Sequence, residues 1–318
     1  MGNRGGTTAI TWIRRDDTLE EGLIYGTHAG HLVFCRLNEQ KVEETECLIL
    51  NQPSEMTSIT YDSATNRLLA TNRFGTVALF GIDPTTMRVV NDYWARCIKA
   101  SIPRAAGFNT QRQIVVFGIH DARFLLELGK GDLIGTPDTH GILIGHVTWD
   151  GTKSVYCVDT ILGGAALYRS SDNAKIQEFI VPRRKEQAFP KQVAFAEGDK
   201  VIISGSDHGL VYVFDRRTGR HIQVLETGTD SWVQSVAATS VTGTSTIFAG
   251  QALPGEGDNK IFVFKRAGIR EVTTGILGRI VAHLKLIGQV IVLLAAMTAV
   301  YQNFLWRFFL LSHYIRVE

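Results

Sequence analysis

The chain has 318 residues, of which 45% are hydrophobic and 20% charged, and its formal net charge is +2. A chain of this length can bury a large core, and a charge so close to zero excludes wholesale binding to a nucleic acid backbone. Its four cysteines, Cys35, Cys47, Cys97 and Cys157, show no CxxC spacing, which argues against a zinc site or a disulfide framework and for reduced thiols.

Strand and turn patterns fill the sequence up to about residue 267. Short β-branched and aromatic segments alternate with Asp-Gly and Thr-Gly turns, as in consecutive antiparallel strands. Six such units begin near Thr8, Met56, Pro103, Ile142, Phe189 and Ser231. Their spacing of roughly 40 to 48 residues is close to the period of propellers with four strands per blade. We therefore predict that residues 1–267 form an all-β fold, a β-propeller of about six recognisable four-stranded blades.

The number of blades has two readings. The ring is either six-bladed or an incomplete seven-bladed pattern, and we favour the second slightly. An open ring would leave unpaired strand edges and an exposed apolar face, which proteins normally avoid.

Two local features stand out within the units. The sequence pattern for the outer strand of the third unit is weak. The loop 182–190, PRRKEQAFP, is basic and bounded by prolines.

An aromatic residue recurs near the end of the third strand in most units. In a propeller this position packs between neighbouring blades, where a large flat ring buries apolar area on both faces. The residues are Phe34, Phe80, Tyr168, Phe214 and Phe264.

The clearest unit, residues 198–226, resembles a WD40 repeat. The repeat pattern is roughly Ser-Gly-Ser-x-Asp-Gly, an apolar strand ending Trp-Asp, and then Thr-Gly. Phe214 replaces the Trp, and His208 stands where the turn Asp is expected. The family's His, Asp, Ser/Thr and Trp tetrad is not matched, so blade packing is predicted to rest mainly on apolar contacts. The matching residues are Ser204, Gly205, Ser206, Gly209, Asp215, Thr218 and Gly219.

The pattern changes after residue 267. Residues 268–285 are predicted to be a linker, and the 21 residues from Leu286 to Trp306 contain no charge. As a helix they would span about 31 Å, the thickness of the hydrocarbon core of a bilayer. We predict a transmembrane helix at 286–306, within a helix that could extend over 276–315, and a short tail at 307–318. A helix lying on a membrane surface and a soluble buried helix are the alternatives.

No nucleotide loop, catalytic elbow or spaced metal ligands can be identified, so neither enzyme activity nor a cofactor or metal is predicted. A small-molecule ligand is not expected. The basic cluster Arg183, Arg184 and Lys185 is a candidate contact for lipid headgroups. The leading hypothesis is a non-enzymatic protein-interaction scaffold, a cytosol-facing propeller that is tail-anchored to the endoplasmic reticulum or another endomembrane.

Two other functions stay open. A propeller followed by one C-terminal membrane helix is similar to the endoplasmic-reticulum guanine-nucleotide exchange factor for a small GTPase, although this likeness is of layout only. A soluble propeller fragment, with its C-terminal helix covering an open edge, is the third possibility. If the chain is a scaffold or an exchange factor, partner proteins would bind through the propeller faces.

Overall fold

A computed structural model of the protein describes residues 4–14, 21–38, 41–98, 101–120, 122–139, 141–186, 189–228, 230–241, 244–252 and 260–267. By the contacts between its residues, the chain divides into two compact units, Met1–Arg266 and Ala267–Glu318. The described residues form strands and turns only, in six antiparallel sheets that are the blades of a propeller ring. The predicted all-β propeller is confirmed.

The sheets are built from consecutive strands, so that each blade is a simple meander. Blades 1 to 3 consist of β1 (Thr7–Arg14), β2 (Glu21–Thr27), β3 (His31–Asn38) and β4 (Lys41–Ile49); β5 (Met56–Asp62), β6 (Arg67–Asn72), β7 (Thr76–Asp83) and β8 (Arg88–Cys97); and β9 (Pro103–Phe108), β10 (Ile114–Gly118), β11 (Ala122–Leu126) and β12 (Asp138–Thr139).

The second half repeats this arrangement. Blades 4 to 6 consist of β13 (His146–Trp149), β14 (Val155–Asp159), β15 (Gly164–Arg169) and β16 (Lys175–Ile180); β17 (Val193–Ala196), β18 (Val201–Ser204), β19 (Leu210–Asp215) and β20 (His221–Glu226); and β21 (Trp232–Val241), β22 (Thr244–Ala252) and β23 (Ile261–Ala267). Blade 6 thus has three strands among the described residues.

The outer part of blade 3 is irregular, in line with its weak sequence pattern. Its outer strand β12 has only two residues. The preceding segment makes an isolated bridge between Leu126 and Leu133, and Ile134 N–H donates to Leu125 O over 2.8 Å. The edge of β11 is therefore covered by a loop instead of a full strand.

Three turns between second and third strands share a polar residue followed three positions later by glycine. The side-chain oxygens of Thr27, Asn72 and Ser206 accept the N–H of the residue four positions on, over 3.2, 3.0 and 2.9 Å. The glycines have φ between 76° and 91°, a conformation that disfavours any Cβ. A Cβ on Gly75 would also lie 2.6 Å from Ile98 O. This polar-x-x-Gly turn is what repeats most faithfully between blades 1, 2 and 5.

Apolar cores seal the junctions between successive blades. The described residues form five such cores, between blades 1 and 2, 2 and 3, 3 and 4, 4 and 5, and 5 and 6. Burying one large apolar side chain contributes about 1.5–3 kcal/mol, so each core is a major source of stability. The recurring aromatic residues lie in these cores: Phe34 and Phe80 between blades 1 and 2, Tyr168 between blades 3 and 4, Phe214 between blades 4 and 5, and the partly buried Phe264 against the core of blades 5 and 6.

Buried charge also joins blades 4 and 5, which the prediction of mainly apolar packing did not include. Lys191, just before β17, places its Nζ 3.1 Å from Asp159 Oδ1 at the end of β14, and both side chains are almost fully buried. The other carboxylate oxygen accepts the backbone N–H of Lys191 over 2.7 Å. Burial raises the pKa of Asp159, and the Lys191 ammonium opposes this shift.

Candidate protein-binding surface

One end of the propeller gathers the turns between second and third strands and the connections between blades, because successive strands run antiparallel. We call this end the upper face. The turns between first and second strands, and between third and fourth strands, form the lower face. Loops from all six blades therefore meet on one broad surface.

A central channel of about 520 Å³ runs between the inner strands of the ring. Residues from all six blades line it, and most are small or hydroxyl-bearing. Of the described lining residues, Arg104 alone carries a full charge at neutral pH. The lining includes Thr7, Thr8, Thr11, Ser58, Thr60, Tyr61, Arg104, His146, Thr148, Trp149, Gln192 and Ser235.

Hydrogen bonds between inner strands form a belt around this channel. In the first half of the ring, Thr8 Oγ1 donates to Met56 O over 2.6 Å, which joins blades 1 and 2. Thr60 Oγ1 donates to Ala106 O over 2.6 Å, and Ala106 N–H donates to Ser58 Oγ over 3.1 Å, which joins blades 2 and 3. These bonds fix the register of neighbouring blades where they come closest together.

The belt continues through the second half. Arg104 Nε donates to Gly145 O over 3.3 Å, from blade 3 to the start of blade 4. Val193 N–H donates to His146 Nδ1 over 3.3 Å, and Gln192 N–H donates to Gln234 O over 2.8 Å. The belt therefore reaches from blade 1 to blade 6.

Arg104 lies near the upper mouth of the channel. Its charge is close enough to Glu55, Arg73 and Asp159, all on the upper face, to interact with them, and burial lowers its pKa. His146 is the neighbouring titratable group, and burial together with Arg104 lowers its pKa to about 4. The imidazole is therefore neutral at physiological pH and accepts from Val193 N–H. The mouth offers a guanidinium and hydroxyl groups to an acidic or polar group of a partner.

A groove of about 520 Å³ lies between blades 3 and 4 and opens beside the upper face. Its walls include the upper turn and connection residues His120, Leu143 and Leu162 and, further out on blade 4, Tyr168 and Glu178. Glu178 is paired with Lys175 over 3.4 Å, so the groove has little net charge. The irregular outer part of blade 3 leaves this outer face of blade 4 accessible.

Two apolar side chains project from upper turns. Phe74 of blade 2 is 59% exposed, although its backbone N–H is held by Asn72 Oδ1 over 3.1 Å. Leu162 of blade 4 is half-exposed and lines the groove. Beside Phe74, Arg73 pairs with Glu55 over 3.1 Å. Rigidly held apolar tips among charged groups are typical of protein-binding surfaces.

The upper turn of blade 5 contains a buried polar network. His208 Nδ1 donates to Asp207 Oδ1 over 2.6 Å, and the Tyr212 hydroxyl lies 3.0 Å from His208 Nε2. Asp207 also accepts the backbone N–H groups of Arg184 and Lys185 over 3.0 and 2.7 Å. The network differs from the WD40 tetrad, which the sequence does not match, but it too joins a turn carboxylate to a histidine.

This network holds the basic cluster in place. Arg183 and Arg184 have exposed side chains, whereas Lys185 Nζ donates to Asp230 O over 3.0 Å. Two guanidinium groups therefore project from a loop whose backbone is fixed by Asp207.

The residues that match the repeat pattern lie at both ends of blade 5, near its upper turn and in its lower turn. Ser204, Gly205, Ser206 and Gly209 are at or beside the upper turn, and all four are buried. At the lower turn, Asp215 Oδ1 accepts Thr218 N–H and its hydroxyl, each over 2.7 Å. Gly219 follows with φ of 71°. The span limits Leu286 and Trp306 lie outside the described residues.

Several residues of this surface were not identified from the sequence. Arg104, His146 and the Asp159–Lys191 pair give no local signal, because their partners are 30 or more residues away along the chain. Phe74 could have been found, since it occupies an inner position of the turn Asn72 to Gly75.

The fold and its central channel place the chain among β-propellers. No protein-family description and no curated protein matches the sequence. Among the solved structures that match is the crystal structure of the computationally designed Ika8 protein. It is 14% identical to this chain with a TM-score of 0.54, and the match covers 81% of this chain and 71% of that one. Similarity at this identity shows the fold alone.

Two further findings concern only the described part of the chain. There, no three or more His, Cys, Asp or Glu side chains are grouped so that they could hold a metal ion. The same residues include no helix with the length and apolar character needed to cross a bilayer. The predicted membrane span at 286–306 falls outside them.

Proposed function

We propose that this chain is a non-enzymatic protein-interaction scaffold of the WD40 type, which binds partner proteins at the upper face of its propeller. The proposal rests chiefly on Phe74, an exposed aromatic side chain on a fixed turn, in a surface that also presents Leu162 and the guanidinium of Arg104. Aromatic and arginine side chains dominate the binding energy of protein interfaces.

Rigidity supports this function. The five apolar cores and the belt around the channel hold the upper turns in fixed positions. A surface that is ordered before binding loses little conformational entropy when a partner docks. The WD40 assignment is supported by the Ser204 to Gly219 pattern and by the placement of its polar residues in the two turns of blade 5.

Replacing Phe74 with Ser is expected to reduce partner recovery at least tenfold, because loss of one central aromatic anchor costs about 2 kcal/mol or more. The measurement is quantitative affinity purification of the full chain from the cells that make it. Val90 is the matched control, since it is 58% exposed but lies on the outer strand of blade 2. Equal recovery of partners with the Phe74→Ser and Val90→Ser chains would contradict binding at the upper face.

We further propose that residues 286–306 tether the propeller to an endomembrane with the propeller in the cytosol. The uncharged sequence Leu286 to Trp306 supports this, and the exposed Arg183 and Arg184 add a contact for anionic headgroups. The full chain is expected to stay in the membrane pellet after carbonate extraction, and deletion of 286–306 to release it. Recovery of the full chain in the soluble fraction would refute the tether.

A further inference from the structure

Arg104 carries a positive charge that no described residue neutralises by direct contact. Its Nε donates to Gly145 O over 3.3 Å, and within the described ranges its side chain makes no other hydrogen bond or ion pair. The N–H groups of Nη1 and Nη2 are therefore available to the channel, which Arg104 lines. The side chain is half-buried, and a guanidinium cannot lose its proton to escape the cost of burial. Such a cation is stabilised when an anion binds beside it.

The other charged groups near Arg104 are already paired with one another. Burial lowers the pKa of Arg104, whereas the charges of Glu55 and Asp159 raise it and that of Arg73 lowers it. Glu55 accepts a hydrogen bond from Arg73 over 3.1 Å, and Asp159 pairs with Lys191 over 3.1 Å. Each carboxylate thus has a cation of its own, and the charge of Arg104 stays uncompensated at the upper end of the channel.

His146 adds a second donor beside this guanidinium. Val193 N–H donates to its Nδ1 over 3.3 Å, so the proton of the neutral ring is on Nε2. Burial and the charge of Arg104 lower the pKa of His146 to about 4, which keeps the ring neutral at physiological pH. No acceptor for Nε2 is found in the part of the chain that the structure describes. A guanidinium beside a further N–H donor is well suited to a carboxylate or phosphate group, because both groups offer several acceptor oxygens.

The channel also has room for the rest of a small molecule. Its volume of about 520 Å³ falls within the range of about 300–1,000 Å³ that is typical of small-molecule sites. Thr148 and Ser235 contribute hydroxyl groups to its walls, and Trp149 contributes an aromatic ring. These groups can hydrogen-bond to or pack against the uncharged part of a bound compound.

We propose that the upper end of the channel binds a small organic acid or phosphate ester, whose anionic group lies against Arg104 and His146. The sequence analysis did not predict a small-molecule ligand, because these two residues belong to different blades and form no local pattern. The inference goes beyond the proposed scaffold function, since it requires no partner protein. Anion binding is measured on the purified chain and the Phe74 experiment on partner recovery from cells, so the two proposals can fail separately.

The test is titration of the purified full chain, isotope-labelled at the histidine nitrogens, with sodium succinate and separately with sodium phosphate. Sodium chloride keeps the ionic strength constant. We expect at least one of the two anions to shift the Nε2 resonance of His146 in a saturable way, because its oxygen accepts this N–H. The resonance is assigned by its loss in His146→Asn. A response to succinate alone would identify a carboxylate site, and a response to phosphate alone a phosphate site. No saturable shift with either anion would overturn the proposal.

Replacing Arg104 with Met is expected to weaken binding of the responding anion at least about tenfold, because charge-assisted hydrogen bonds are lost. That anion should raise the melting temperature of the wild-type chain but not that of Arg104→Met. His146→Asn keeps an acceptor for Val193 N–H and should also weaken binding, by a smaller factor. This second variant tests the site even if Arg104→Met does not fold.

Arg96→Met is the matched control. It removes the same kind of charge, but Arg96 is 47% exposed and lies near the upper end of the outer strand of blade 2. Its effect should be less than about twofold, because salt screens exposed charges outside the channel. Equal losses for Arg104→Met and Arg96→Met, or unchanged binding in both Arg104→Met and His146→Asn, would overturn the proposal.

Discussion

Replacing Lys191 with Met is expected to lower the free energy of unfolding by about 3–5 kcal/mol, because it leaves the buried Asp159 carboxylate without its cation. Methionine keeps the apolar stem of the side chain. The backbone N–H of residue 191 still donates to Asp159 Oδ2. What is lost is the ammonium, which also donates to the carbonyl oxygens of Ile161 and Phe189. Equilibrium denaturation in urea measures the difference.

The loss should depend on pH in a defined direction. Burial raises the pKa of Asp159 above its unfolded value, so its contribution to stability is fully present below the unfolded pKa and is lost as pH rises through the folded pKa. Removing Lys191 raises the folded pKa further. The Lys191→Met chain is therefore expected to be least destabilised in acid, where Asp159 is protonated and neutral.

Lys175→Met is the matched control. Lys175 pairs with Glu178 over 3.4 Å, but both side chains are more than half exposed, and exposed pairs contribute less than about 1 kcal/mol. The double variant Asp159→Asn with Lys191→Met should be more stable than Lys191→Met alone, since no unpaired charge is left buried. If Lys191→Met and Lys175→Met lowered the free energy of unfolding equally, the buried pair would not be what stabilises the junction of blades 4 and 5.

Replacing Asp207 with Ala is expected to cost about 2–3 kcal/mol, because three donors lose their acceptor. These are the N–H groups of Arg184 and Lys185 and the imidazole N–H of His208. The loop that carries Arg183 and Arg184 should loosen, and amide hydrogen exchange at residues 184 and 185 should accelerate. Denaturant unfolding and exchange measured on one sample separate the global effect from the local one.

The stability that Asp207 contributes depends on pH with the opposite sign to that of Asp159. Burial alone would raise the pKa of Asp207, but hydrogen bonds from His208 and from the backbone of Lys185 and Arg184 outweigh it and lower the pKa. This stability is present above the unfolded pKa and is lost as pH falls through the folded pKa. The difference between the wild-type chain and Asp207→Ala should disappear in strong acid. Asp92→Ala, at an exposed carboxylate of blade 2, should change neither quantity, and a comparable effect there would refute the role of the network.

The period of the blades was predictable because each blade repeats the same alternation of apolar strand and polar turn. The predicted starts at Met56 and Pro103 are confirmed, whereas those at Ile142 and Phe189 lie four residues before β13 and β17. Both misplaced starts fall in connections that bury apolar side chains of their own. Ile144 is fully buried between blades 3 and 4, and the Phe189 ring centroid lies 5.0 Å from that of Trp232. An apolar residue in a packed loop gives the same sequence signal as the first residue of a strand.

The candidate surface was less accessible to sequence reasoning. A propeller builds its channel and its junctions from residues that are separated by a whole blade, such as Arg104 and Gly145 or Asp159 and Lys191. Local patterns can indicate a turn, but they do not show which side chain meets which across two blades. The polar-x-x-Gly turns are the exception, because their hydrogen bonds close within five residues.

Because the meander of blade 1 is complete between Thr7 and Ile49, its sheet needs no strand from the far end of the polypeptide. Every strand pairing in the described ring is likewise settled within a single blade, so loop closure costs little entropy at each step. The domain can thus assemble progressively as it leaves the ribosome, each new sheet docking on the one before it. Among the described residues, blades 1 and 6 each share an apolar core with one neighbouring sheet, so we expect local unfolding to begin in these two blades and to spread inward.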